Sequence, residues 1–179
     1  MKKKILAGFI VVFGSAALWT QAYAQTGHDH GAAGHANTAQ TSAQAISSAK
    51  LSTSLTVTGC WIRSIPAPAP SAGYFVVKNS GNNEVKLQAA SSPAYGMIML
   101  HQTTQKDGMS KMSETHDIAI AAGSQLEFKP GGYHAMLEKP VKVPTIGSHV
   151  NMDFLFDNGE KASAQCEVKA PNTKTPMSH

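Results

Sequence analysis

The sequence predicts a single all-β domain, a sandwich or barrel, over about residues 51–170. Apolar residues come in short alternating runs rather than long ones. Turn residues interrupt those runs every ten or so positions, the spacing of a many-stranded fold. No segment of useful length carries a 3.6-residue period, and no internal repeat is visible. About 120 residues are enough to bury one core.

The elements follow in order. Lys2, Lys3 and Lys4 precede an apolar run from Ile5 to Trp19, which leads to Ala22-Tyr23-Ala24. A basic start, a short apolar stretch and a small-x-small site predict a secretory signal peptide over residues 1–24, cleaved after Ala24. The run is 15 residues, shorter than the roughly 20 that cross a bilayer, so no stable membrane insertion is expected after cleavage. No cysteine lies near the cleavage site, so a lipid anchor is not indicated. Residues 25–50 are rich in Gln, Ala, Ser, Thr and Gly, with Ile46 the one bulky aliphatic, and are expected to be a disordered arm. It carries His28, His30 and His35. Those imidazoles suit Cu(II) or Zn²⁺ as a secondary metal site, or form a merely solvated tract. Residues 171–179 return to polar composition, a disordered tail with Met177 and His179.

Within the domain, strands are expected at Leu55–Arg63, Gly73–Asn79, Val85–Ala90, Met97–Gln105, Met109–His116, Gln125–Lys129, Tyr133–Glu138, Val150–Phe156 and Glu160–Val168. The segment Ile65-Pro66-Ala67-Pro68-Ala69-Pro70 must be a loop, because proline cannot donate to a ladder. Asp107-Gly108 is a two-residue hairpin turn. That turn sets Thr103 opposite Met112 and His101 opposite Glu114, and in the same register His116 falls opposite Met99. The last hairpin needs a three-residue loop with Gly159 left-handed. Only then do Val150 and Phe154 face Cys166 and Ala162, matching apolar to apolar.

Charge excludes several functions. Three of the 15 Lys+Arg lie within residues 1–24, leaving 12 against 11 Asp+Glu. A near-neutral mature chain gives no electrostatic basis for binding nucleic acid or anionic membrane. Cys60 and Cys166 sit in a chain marked for an oxidising compartment, where a disulfide is the default.

Eight histidines and eight methionines stand out in a chain with 15% charged residues. Alternation places Met112 diagonal to His101 on one face of its hairpin, and His134 and Met136 on one face of theirs. Two imidazoles and two thioethers from two hairpins suit one ion. Thioethers are soft and uncharged, poor ligands for Mg²⁺, Ca²⁺ or Zn²⁺ and good ones for Cu(I). They also need lose no proton to bind, and they do not pair into disulfides as exported thiolates do.

The spacing His101-x10-Met112-x21-His134-x-Met136 resembles the motif of the periplasmic copper chaperone family called PCu(A)C. Cys60-Trp61-Ile62-Arg63, the proline-rich loop, Ala72-Gly73-Tyr74-Phe75, Asn79 and Pro130-Gly131-Gly132-Tyr133 are similar to its context as well. The resemblance covers about residues 51–170. It implies a cupredoxin-like Greek-key β-sandwich that binds Cu(I) through His101, Met112, His134 and Met136. It further implies delivery to the dinuclear copper centre of cytochrome c oxidase, with that copper-centre subunit and a Sco-type thiol protein as partners. A monomer in the periplasm is expected.

Met97, Met99 and His116 are read as packing or exposed strand residues, with a supporting or access role as the alternative. Met109 should be exposed, Met152 core and His149 a loop residue. The competing function is copper sequestration for resistance, using the His/Met site together with the arm. An electron-transfer cupredoxin wants one Cys with two His, and no such set is present. No Ser-His-Asp set or hard-ligand site with an open water position points to an enzyme.

Overall fold

A computed structural model describes residues 44–174, and all of them fall in one compact unit. Among the described residues eleven strands run in chain order: β1 (Lys50–Leu51), β2 (Leu55–Arg63), β3 (Ser71–Asn79), β4 (Val85–Ser91), β5 (Tyr95–Lys106), β6 (Met109–Glu114), β7 (Ile118–Ile120), β8 (Gln125–Phe128), β9 (Tyr133–Pro140), β10 (His149–Phe156) and β11 (Glu160–Lys169). Hydrogen bonding connects them as β6-β5-β9-β3-β2-β11-β10-β4-β7, with β8 also on β3 and β1 on β11. The chain repeatedly leaves one end of this path for the other, as β3 to β4, β6 to β7 and β9 to β10 show. These Greek-key crossings roll the ladder into two facing layers.

The core fills the space between the layers. Phe75 of β3 stacks on Phe128 of β8 at 4.2 Å and meets Phe154 of β10 at 4.5 Å between ring centroids. Leu87, Leu100, Ile120, Leu137, Met152 and Phe156 complete it from six further positions on both sides. Met152 is thus core, as its apolar face requires.

Both hairpin registers follow the turn chemistry. Asp107 and Gly108 have φ of 53° and 75°, the positive pair that a twisted two-residue turn needs. Thr103 pairs with Met112 and His101 with Glu114. In the last hairpin Gly159 has φ 77°, Phe154 pairs with Ala162 and Val150 with Cys166.

Three local readings are corrected. Residues 44–48 form one helical turn, and Ile46 within it is 1% exposed. The expected arm therefore stops short of residue 50. Burial of its one large aliphatic and the pairing of Lys50 with Glu160 tie this end to the domain. The strand expected to run through His116 ends at Glu114. Asp117, with φ 54°, redirects the chain to β7, which pairs with β4 in the opposite layer. His149 opens β10 rather than lying in a loop.

One irregularity positions the site. The β2–β3 register shifts between Thr58 and Trp61, where Gly59 takes φ 60°. A bulge inserts one residue and reverses the facing of everything after it. Val57, Cys60 and Ile62 face the main core, whereas Trp61 joins Ala72 and Tyr74 in a separate cluster on the other side.

Candidate metal centre

The centre is built on the face of β5, β9 and β6 turned away from the main core. Leu100, Ala135 and Leu137 point into that core, so alternation turns His101, His134 and Met136 the other way. His101 is directly opposite His134, and Met99 opposite Met136. The His101 and His134 rings lie 5.9 Å apart between centroids. Met112 arrives from β6, two residues along the ladder from Glu114, the residue facing His101. On the far edge of β9, Met136 pairs with Ala72 of β3, whose small side chain leaves space beside the thioether.

That space is a cleft of ≈ 290 Å³ whose walls include Met112, His134, Met136, Tyr74 and Arg63. His101 does not line it and sits one strand further on, beside His134. The structure thus gathers three of the four candidate ligands around one cleft and places the fourth against the second imidazole.

The hydrogen-bond pattern prepares His134 as a donor of electrons. Its Nδ1 is 3.0 Å from the Gly132 carbonyl, which can only accept, so Nδ1 carries the proton. The same carbonyl accepts from the Thr103 amide at 3.0 Å, which fixes the turn at Gly131 and Gly132. The lone pair of Nε2 then faces Met112 Sδ at 3.3 Å. Both ring nitrogens of His101 are buried without a hydrogen-bond partner among the described residues. Burial, and then the neighbouring His134, hold its imidazole below the ordinary 6.5, which favours the neutral form that can ligate. Unpartnered buried polar atoms are costly in a protein interior, and here they cluster beside thioethers. A soft cation would satisfy them.

Among the described residues, no three His, Cys, Asp or Glu side chains converge on a point. A closed hard-ligand or zinc-type centre is therefore not formed there. Cys60 and Cys166 are joined in a disulfide. Both belong to the core, brought together by parallel pairing of β2 with β11, so neither is available as a thiolate.

Access differs among the candidate ligands. Met112 is 51% exposed, whereas His134 is buried and Met136 is half-buried. Met97 is buried opposite Glu138, and Met99 is half-buried on the same face as His101. His116 is exposed, 3.7 Å from Glu114. Met109 is exposed at the hairpin tip. The arm's His28, His30 and His35, the signal peptide and Met177 and His179 lie outside the described residues.

Sequence reasoning used Arg63 and Tyr74 only as surrounding context, yet both line the cleft. In a regular strand Arg63 would share the facing of Leu55 and Val57, and only the bulge at Gly59 turns it to the ligands. The glycine within an alternating strand was the available signal.

Residues 55–168 match the family described as "Putative lipoprotein LpqE-like". An uncharacterised protein of Rickettsia prowazekii (strain Madrid E) is 31% identical over 103 residues, covering 57% of each chain. This chain therefore spans little more than half the length of that relative. A protein of Leifsonia xyli subsp. xyli (strain CTCB07), described as a putative lipoprotein, is 30% identical over 115 residues, 63% of this chain and 68% of its own. Among solved structures, the apo PmoF2 PCuAC domain superposes with a TM-score of 0.56 at 19% identity, covering 67% of this chain and 93% of that one. The copper-bound PmoF2 PCuAC domain gives 0.54 at 20% identity, with 64% and 92% covered. The Cu(I) form of DR1885 from Deinococcus radiodurans gives 0.53 at 24% identity, with 75% and 89% covered. The fold is that of the PCuAC domains, a cupredoxin-like sandwich. Among the described residues no helix is long and apolar enough to cross a membrane.

Proposed function

The chain belongs to the LpqE-like family, and from that premise and its His/Met cleft we propose that it is an exported Cu(I) carrier. The observation that carries the reading is the pair His134 Nε2 and Met112 Sδ, 3.3 Å apart, with the Gly132 carbonyl placed to hold the ring proton at Nδ1. His101 and Met136 complete a neutral, soft ligand set suited to Cu(I). Two structural neighbours are described as copper-bound and Cu(I) forms, which supports the same ion here.

Copper would leave by ligand exchange rather than by chemistry on a substrate, so the protein is read as a binder and not an enzyme. The exposed Met112 thioether is the ligand an incoming group would displace first. The resemblance of the motif supports the dinuclear copper centre of cytochrome c oxidase as the destination, with a Sco-type thiol protein alongside. The basic-apolar start of the sequence supports export to the periplasm, and the mature chain is read as monomeric.

The test is Cu(I) competition against a chromophoric chelator with three full-length proteins: wild type, His134→Ala with Met136→Ala, and His28, His30 and His35 all changed to Ala. Tight one-to-one binding that survives the arm substitutions and collapses in the His134/Met136 variant is expected. Binding lost with the arm and indifferent to His134 and Met136 would overturn the cleft as the site. Several ions per chain in the wild type would favour sequestration instead.

A further inference from the structure

We propose that the Arg63 wall of the cleft is a docking subsite for an anionic side chain, a thiolate or carboxylate, of the protein that exchanges copper with this one. The inference rests on the copper-carrier reading. Among the described residues, Arg63 is the one charged residue lining the cleft with Met112, His134 and Met136. Among the described residues it enters no ion pair, and its Nε is buried without a hydrogen-bond partner. Its guanidinium lies 5.4 Å from the centre of the Tyr74 ring, and Tyr74 packs on Trp61 at 4.5 Å. The cation is therefore held over the Tyr74 ring, with its Nε–H uncommitted among the described residues.

A guanidinium beside a metal site needs a reason. Two His and two Met are neutral, so bound Cu(I) keeps its full positive charge and Arg63 repels it across the cleft. An anion placed between them reverses the sign of both interactions. The opposite flank of the site has the opposite character, with Glu114 facing His101 and Glu138 facing Met97. The centre is polarised: acidic where β5 meets β6 and the outer end of β9, cationic where the cleft opens.

Ligand exchange uses that polarity. An incoming thiol gives its proton to solvent, which a neighbouring guanidinium favours by stabilising the thiolate. The thiolate forms a new Cu–S bond as the Cu–S bond to Met112 breaks, and copper remains Cu(I) throughout. Arg63 acts as a positioning residue, drawing the anionic ligand to the accessible side of the metal.

The experiment compares copper transfer from the loaded full-length protein to bathocuproine disulfonate, which is anionic, and to neocuproine, which is uncharged. The readout is the ratio of the two transfer rates. It should fall about fivefold in Arg63→Gln, the scale of one screened charge at short range, and recover in Arg63→Lys. Added salt should lower the ratio in the wild type and matter less in Arg63→Gln. Equal ratios in wild type and Arg63→Gln, or equal losses in the Gln and Lys variants, would overturn the proposal. Should Arg63→Gln fail to fold, identical salt profiles for the two chelators in the wild type overturn it as well. A wild-type protein that takes up no Cu(I) would instead overturn the carrier reading, and the docking role with it.

Discussion

His134 Nε2 and Met112 Sδ stand 3.3 Å apart although they come from strands that do not pair with each other. β5 lies between β6 and β9, and the two side chains meet above it. In the neutral ring whose Nδ1 donates to Gly132, the Nε2 lone pair faces the thioether. Met112→Leu keeps the volume and removes the sulfur. Cu(I) affinity should fall by more than the roughly 10- to 100-fold that loss of an outer-shell partner costs. Stability should move by less than about 0.5 kcal/mol, because the side chain is exposed. Chelator competition and a thermal melt on one preparation check both halves.

Reducing the Cys60–Cys166 bond should destabilise the domain without touching the ligands. The bond closes a loop with a sequence separation of 106, for which chain entropy alone gives about 4.7 kcal/mol, near the top of the roughly 2–5 kcal/mol that losing a native bridge costs. Unfolding with and without a reductant should show that loss. One-to-one Cu(I) binding by reduced protein kept below its melting temperature should persist. Loss of copper with the bridge would mean that the ligands keep their places only while Cys60 and Cys166 are joined.

Ile46→Ala should cost about 2–4 kcal/mol, as for other buried aliphatic truncations. The residue is 1% exposed in a helical turn that composition alone assigned to a disordered arm. Denaturant unfolding measures the cost. A change near zero would show that this turn does not dock on the sandwich.

Acid should weaken the apo protein in a direction set by His101. Burial and His134 lower its folded-state value below 6.5, so on acidification the unfolded chain takes up the proton first. Stability should be insensitive to this group above about pH 6.5 and should decline as pH drops below that value. The melting temperature of His101→Leu should fall less steeply from pH 7 to 5 than that of the wild type. Equal slopes would remove His101 as the source.

Much of the centre could be read along the chain because hairpins are local. A two-residue turn at Asp107-Gly108 and strict alternation are enough to bring Met112 diagonal to His101. The pairing of His101 with His134 was not readable in that way. It depends on β9 returning beside β5 after excursions through β7 and β8, and strand order is decided by packing rather than by local pattern. β7 escaped notice for a related reason. Ile118, Ala119 and Ile120 are too few to show a period, and the burial of Ile118 and Ile120 comes with docking on β4.

The amino-acid sequence by itself determined which soft side chains are offered as candidate ligands, the strand periods and the hairpin registers, since each depends on residue type at short separation. Only the tertiary structure decided which faces meet. The bulge at Gly59 turns Trp61 and Arg63 away from the facing that Leu55 and Val57 establish and toward the cleft. The same bulge leaves Cys60 facing inward, where parallel pairing with β11 brings it to Cys166. Side-chain facing in a strand reverses with one inserted residue, and whether a glycine hosts that insertion depends on the strands packed beside it.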